Sequence, residues 1–281
     1  MKIVTDYSYK HFAVVEIYQI YYDAITKNAV PPGFIPLNNS KNERPDWFEF
    51  WVILNFLRSN NLKNDTWYGF LSPKFHLKTG WTPNDVEQLL QHAQKSDALL
   101  LSPGWDQLSY FLNPWEQGEV WHPGLLQESQ KFLDQIGADL KLDTLVTDTT
   151  NSVFSNYVIA KKGFWEKWKE MAEVFFDYAE KGHLNNFSVK YHNERIQYPM
   201  KTFIQERFAS LILLNNDIRT IAPDLSFVSG INKELFSDDI QTRHLLATCD
   251  LMKRKFNQNH DDRYLDMYWM IRRDIKYIRP H

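Results

Sequence analysis

Residues 45–80 read PDWFEFWVILNFLRSNNLKNDTWYGFLSPKFHLKTG. Trp47, Phe50, Trp51, Leu54 and Leu57 recur at the three-to-four-residue spacing of an amphipathic helix, so this part predicts a core-facing helical stripe. After a short polar break, residues 68–71 are aromatic and apolar and read as a strand, followed by a turn that carries Ser72, Lys74, His76 and Lys78. Core packing does not account for Glu49 and Asn55 within the helix, nor for the basic turn. In open α/β sheets ligands bind beyond the carboxyl ends of the strands, which makes such a turn a candidate site for an anionic group.

Working outward, residues 11–22 are β-branched and aromatic and predict a first buried strand, with a Pro-, Gly- and Asn-containing loop over 27–44. Thr82 followed by Pro83 is an N-cap with proline at the first helical position, opening a helix through about residue 95. Residues 97–102 read as a central strand, 103–124 as a turn-rich loop, 123–136 as a helix and 142–147 as a further strand-like segment. Residues 151–160 read as a strand that enters a helix over 163–181, and 202–214 as another helix. Strands alternating with helices predict an α/β protein with a mostly parallel sheet flanked by helices. The expected organisation is one main domain over 1–222 with a helical C-terminal appendage over 223–281 packed on it.

The chain has 281 residues, 15% aromatic content and ten Trp. Rings at that density fit either a tryptophan-rich core or carbohydrate handling, because sugar C–H faces stack on aromatic rings. A net charge of −3 without a long basic block argues against nucleic acid as the main partner. The single cysteine, Cys249, excludes an intramolecular disulfide and a cysteine-rich zinc site; its apolar, helix-like setting reads as a small buried hydrophobe. The N-terminus has no signal-peptide pattern and no apolar run reaches the length of a membrane span, so a cytoplasmic location is expected. Residues 251–281 hold eight Lys/Arg against four Asp, a balance of +4. With Tyr264, Met267, Met270 and Ile271 among them, this segment is a candidate for peripheral contact with the inner face of a membrane, the alternative being packing on its own domain.

No dinucleotide glycine fingerprint, Walker lysine loop, nucleophile elbow or His-Glu-x-x-His occurs. There is also no clean Asp-x-Asp. Asp143 and Asp148 are five apart and do not share a strand face, and Asp261-Asp262 beside His260 reads more economically as a helix cap, so no metal ligand is assigned.

The segment order resembles that of bacterial glycosyltransferase-like proteins of capsule and exopolysaccharide gene clusters, in the nucleotide-diphospho-sugar transferase superfamily. The resemblance is carried by the helix with Trp51 and Asn55, by Tyr68-Gly69-Phe70 leading into Ser72-Pro73-Lys74, by 151–160 with the Phe164–Trp168 helix, and by Glu206-Arg207. It implies a Rossmann-like fold of glycosyltransferase A (GT-A) type, with 1–222 as the nucleotide-sugar-binding and catalytic domain, a donor near the N-terminal strands, and a glycan or lipid-linked acceptor. Mg2+ or Mn2+ is the cofactor such enzymes use, and the missing Asp-x-Asp departs from that pattern. Within this reading Tyr21 or Trp47 stacks on the base, and Lys74 and Lys78 neutralise the diphosphate, with Asn55, Ser72 and Arg207 also on the donor side. Asp106, Glu116 and Glu206 are the candidate catalytic carboxylates, Trp105, Trp115 and Trp121 the sugar platforms, and Asn113, Gln117 and His122 neutral hydrogen-bonding groups. Structural alternatives stand beside these: His122 as a loop anchor, Glu206-Arg207 as a buried ion pair, Lys74 and Lys78 as a solvated turn. The competing functions are a non-catalytic carbohydrate- or nucleotide-binding protein and a scaffold of a polysaccharide assembly system.

Overall fold

A computed structural model describes residues 14–93, 95–184, 188–190, 197–215 and 217–279. The β-branched and aromatic β1 (Val14–Tyr21) pairs in parallel with β2 (Ile35–Asn38) on one side and β3 (Thr66–Leu71) on the other, placing Tyr18 opposite both Ile35 and Phe70. All six residues of β3 are buried, which explains its apolar run without alternation. Gly69 lets β5 (Val158–Lys161) approach β3, since a Cβ there would lie 2.9 Å from the Ile159 side chain. With β4 (Ala98–Leu100), β5 and β8 (Thr220–Ile221) the order is β2-β1-β3-β5-β4-β8. Every strand of this sheet is parallel except β5, which is antiparallel to both β3 and β4. β6 (Ser188–Lys190) and β7 (Gln197–Pro199) form a separate antiparallel pair. The α/β class and the mostly parallel sheet flanked by helices are as expected.

The helical stripe forms α2 (Phe48–Ser59), following the short α1 (Ala24–Asn28), and it buries Phe50, Val52, Ile53, Leu54 and Leu57. It packs against α8 (Lys162–Glu180), where Phe50 meets Trp168 at 5.4 Å and Trp47 meets Phe175 edge-on at 5.9 Å. Trp47, Trp67, Trp115, Trp165 and Trp168 are all fully buried. Half of the ten tryptophans are therefore fully enclosed in the core, and their faces are closed to any ligand. α3 (Phe75–Thr79) is anchored by Phe75, and α4 (Pro83–His92) starts at the expected Thr82 cap, completed as a capping box by Asp85.

Five expectations change. Residues 103–124 are not a loop but contain α5 (Trp105–Tyr110) and α6 (Pro114–Trp121), with α7 (Leu125–Gln135) following. The Asn113 side chain accepts hydrogen bonds from the N–H groups of Trp115 and Glu116, and Pro114 fills the first helical position, so Asn-Pro here starts a helix rather than a turn. The 142–147 segment is no strand: Asn113 Nδ2 donates to the carbonyls of Leu142 and Leu145, replacing a ladder. The 151–160 strand begins only at Val158, because Ser155 and Asn156 take left-handed φ values of 59° and 55°. The helix over 202–214 is two helices, α9 (Met200–Gln205) and α10 (Phe208–Leu213), separated at Glu206 and Arg207. The 27–44 stretch also holds β2, and residues 11–13 of the first strand lie outside the described residues.

α11 (Ile240–Asn259) and α12 (Asp262–Asp274) pack on α5 through a second cluster that includes Tyr110, Phe236, Leu246, Cys249 and Tyr268. The expected cap role of Asp261 is realised at the start of α12. Of the basic residues in 251–281, three turn inward. Lys253 is fully buried and donates to the carbonyls of Leu108 and Phe111 at 2.5 Å each, Arg254 pairs with Asp250, and Arg272 pairs with Glu116. Met267, Trp269 and Met270 stay exposed. No helix among the described residues is long and apolar enough to cross a membrane.

Candidate functional site

The chain leaves β1 toward β2 on one side and leaves β3 toward β4 on the other, so the crevice between the carboxyl ends of β1 and β3 is a topological switch point. Polar side chains line it. Gln19 donates to the Ser72 carbonyl at 3.2 Å, tying the end of β1 to the turn after β3. The Ser72 and Tyr157 hydroxyls are 2.6 Å apart, and Tyr157 is held by an edge-on contact with Phe75. Lys78, carried on α3, donates to Ser155 Oγ at 3.1 Å and lies 5.8 Å from the centre of the Tyr157 ring. Phe75 fixes the height of α3 and so delivers Lys78 to this edge.

Two carboxylates from distant parts of the chain face the same space. Glu49 projects from the first turn of α2, and Tyr22, directly after β1, sits against it; burial, and then the Glu49 charge, push the Tyr22 hydroxyl far above its ordinary pKa. Glu206 occupies the break between α9 and α10 and accepts no hydrogen bond among the described residues. Desolvation raises the Glu206 carboxyl above the ordinary carboxylate range; Arg207 and Lys78 pull it down, and Glu49 pushes it up. Tyr157 is raised by burial and, beyond that, by the charges of Glu49 and Glu206.

Backbone conformations that side chains rarely adopt bracket the cluster. Phe48, immediately before Glu49, has φ 47°, and the Ser155–Asn156 pair precedes Tyr157. Asn156 is steadied by its amide donating to Gln205 Oε1 at 3.1 Å. Strain of about 1–3 kcal/mol per such residue persists only where the surroundings over-determine it, and it concentrates at functional sites.

Of the residues expected from sequence, the structure brings Ser72, Lys78 and Glu206 together. Tyr21 ends β1 beside them, mostly buried, with the Lys27 ammonium 5.7 Å from its ring centre. Lys74 is exposed at the cap of α3, and Asn55 is exposed along α2. The others are drawn into structural contacts. Trp47 is buried, its indole N–H donating to Glu180 at 3.1 Å. Asp106 is buried as well: Oδ2 accepts from the Asn232 N–H at 2.7 Å, and desolvation raises its carboxyl. Glu116 pairs with Arg272 at 2.7 Å and accepts from the Leu112 N–H.

Arg207 is spent on the carbonyls of Pro114 (2.8 Å) and Phe203 (2.6 Å) and on Gln117 Oε1, and its burial lowers its pKa to about 10. The expected Glu206-Arg207 pair is thus divided: Arg207 clamps α6 to α9 while Glu206 faces the crevice. Asn113 and Trp115 are buried, Gln117 bonds Gln107, Trp121 is half-buried, and His122 stacks on Phe203 with ring centres 3.5 Å apart. Trp105 lines a separate cavity.

Sequence reading singled out Glu49 as unexplained but gave it no role, and it missed Tyr22, Asn156 and Tyr157. Their signal was position: each lies within two residues of a strand end at the carboxyl edge. Among the described residues no group of three or more His, Cys, Asp or Glu is arranged to hold a metal ion. Asp148 instead accepts from Thr150 and Asn257.

Comparison of the chain with protein-family models, with curated proteins and with solved structures gives no match in any of the three.

Proposed function

We propose that the protein is a glycosyltransferase that moves a sugar from a nucleotide-activated donor to a cell-surface polysaccharide or lipid-linked glycan, with the donor over the switch-point crevice. The observation that carries this reading is the convergence of Glu49, Glu206, Lys78, Ser72, Tyr22 and Tyr157 at the carboxyl edge of a mostly parallel sheet. Lys78 and the hydroxyls suit a diphosphate. A carboxyl raised by burial suits proton exchange with an acceptor hydroxyl near neutral pH, and perturbed carboxyls of this kind cluster at functional sites. Glu206 takes the acid–base role here, in place of Asp106 and Glu116, whose polar atoms are occupied. Mg2+ or Mn2+ bound with the donor diphosphate, and a cytoplasmic location peripheral to the membrane, belong to the same proposal.

The test is thermal unfolding against UDP, GDP, CMP and dTDP compounds and their sugars, with and without Mg2+ or Mn2+, followed by product detection. A ligand at a hundred times its Kd adds about 2.7 kcal/mol of stability. Selective stabilisation by one nucleotide class, lost in Lys78→Ala, together with turnover lost in Glu206→Gln, is the expected result. Binding without turnover supports a binding protein that keeps the fold without chemistry, a reading favoured by the structural use of Asp106 and Glu116. No binding by any nucleotide sinks the proposal.

A further inference from the structure

At the carboxyl ends of β4 and β8 a cavity of about 230 Å³ lies between α5, α11 and the segment leaving β8. It exceeds the ~150 Å³ that accepts a benzene ring. Its lining is mostly apolar, with Leu100, Trp105, Pro223 and Leu251 among its walls. Most polar groups inside are already used by the protein, the Arg254 Nε–H being a buried donor without a partner. Ser109 Oγ donates to the Trp105 carbonyl at 2.8 Å, and Ser102 Oγ accepts from the Phe154 N–H at 2.7 Å. Asp250 accepts from Thr149 N–H and Oγ1, both at 2.9 Å, and pairs with Arg254 at 2.6 Å. A group rich in hydroxyls would exchange its bonds to water for at most one inside, at a cost of about 1–3 kcal/mol for each unsatisfied group.

Charge narrows the ligand further. The Arg254 cation is matched by Asp250, which leaves Asp224, exposed and bonded through one carboxylate oxygen to Ser226, as a net negative charge. Phe227 and Leu251, 61% and 47% exposed, extend the apolar lining to the surface.

We propose that this cavity binds the apolar end of an uncharged amphipath, an alkyl or aryl group whose hydroxylated head stays outside beside Asp224. It rests on the glycosyl-transfer reading only in that such a ligand would then be the acceptor.

The probe is octyl β-D-glucoside below its micelle concentration, compared with methyl β-D-glucoside (the head alone) and octanoate (the chain with an anion), read by the thermal unfolding of the full chain. Ala247→Met and Ala222→Met fill the cavity from two sides, so one remains informative where the other does not fold. The octyl glucoside raises the melting temperature saturably, the methyl glucoside does not, octanoate binds about ten-fold more weakly through like-charge repulsion, and the filled variants lose the shift. The proposal is overturned by no shift with octyl glucoside, an equal response to methyl glucoside, tighter binding of octanoate, or an undiminished shift in a filled variant. Repeating the nucleotide panel on wild type and the filled variants separates the two claims. Nucleotide binding without amphipath binding sinks only this one, and amphipath binding without any nucleotide sinks only the glycosyl-transfer reading.

Discussion

Gly118 on α6 packs directly on the Arg207 guanidinium. A Cβ at this position would fall 2.2 Å from Arg207 Nη2, 2.7 Å from Cζ and 2.2 Å from Leu125 Cδ2, so Gly118→Ala cannot be accepted without moving one of them. Arg207 is pinned by the Pro114 and Phe203 carbonyls, and Leu125 is fully buried in the main core. Overpacking costs about 1–3 kcal/mol, and losing one hydrogen bond from the charged guanidinium adds roughly 1.5–3. The expected destabilisation is therefore about 3–5 kcal/mol. At about 2 °C per kcal/mol for a chain of this size, the melting temperature falls by roughly 6–10 °C.

Urea unfolding followed by tryptophan fluorescence measures this as a lower midpoint at unchanged slope. Gly163→Ala, where nothing lies within 4 Å of the added methyl, is the control and should stay within about 1 kcal/mol of wild type. A Gly118→Ala protein as stable as that control would refute the claim that Arg207 is an immobile clamp. The division of labour that leaves Glu206 free for the crevice would then lose its basis.

Glu206 has a folded pKa raised above its unfolded value, so the folded state holds the proton more tightly and stability is lost as pH rises through the unfolded pKa toward the folded one. Glu206→Gln should therefore be more stable than wild type at pH 7 and equal to it below about pH 4, while losing transfer activity; chemical denaturation at both pH values checks the sign. Lys253, with its pKa lowered to about 8 by burial, behaves oppositely. Its charged form is strained below pH 8, so wild type should gain stability on Lys253→Met between pH 8 and 10, by up to about 1.4 kcal/mol per pH unit. At neutral pH, Lys253→Met should still be the less stable by about 2–4 kcal/mol, because the Leu108 and Phe111 carbonyls lose their donor. Asp106→Asn should cost about 1–2 kcal/mol through the Asn232 contact yet leave kcat unchanged; a collapse of kcat in a folded protein would return Asp106 to the catalytic group. Cys249, buried with its thiol pushed up to about 12, should react with a thiol reagent only as fast as the protein unfolds.

The sequence by itself determined the features that depend on neighbours within a turn or two. The stripe from Trp47 to Leu57 specified a buried helix, Thr82 with Pro83 fixed the start of α4, and the apolar run before Ser72 located a buried strand with Lys78 just beyond it. These follow from periodicity and capping, which are local.

The tertiary structure alone decided which polar groups remain available. Glu116 and Arg272 lie 156 residues apart, and Lys253 and Leu108 are separated by 145. Only the packing of α11 and α12 on α5 drew a candidate base and three residues of a basic stripe into partly buried ion pairs and a buried cap. The same long-range packing brought the Glu49 charge to bear on the Glu206 carboxyl. A residue type states what chemistry a side chain can perform, but whether it is spent on the fold depends on the partner that folding places beside it.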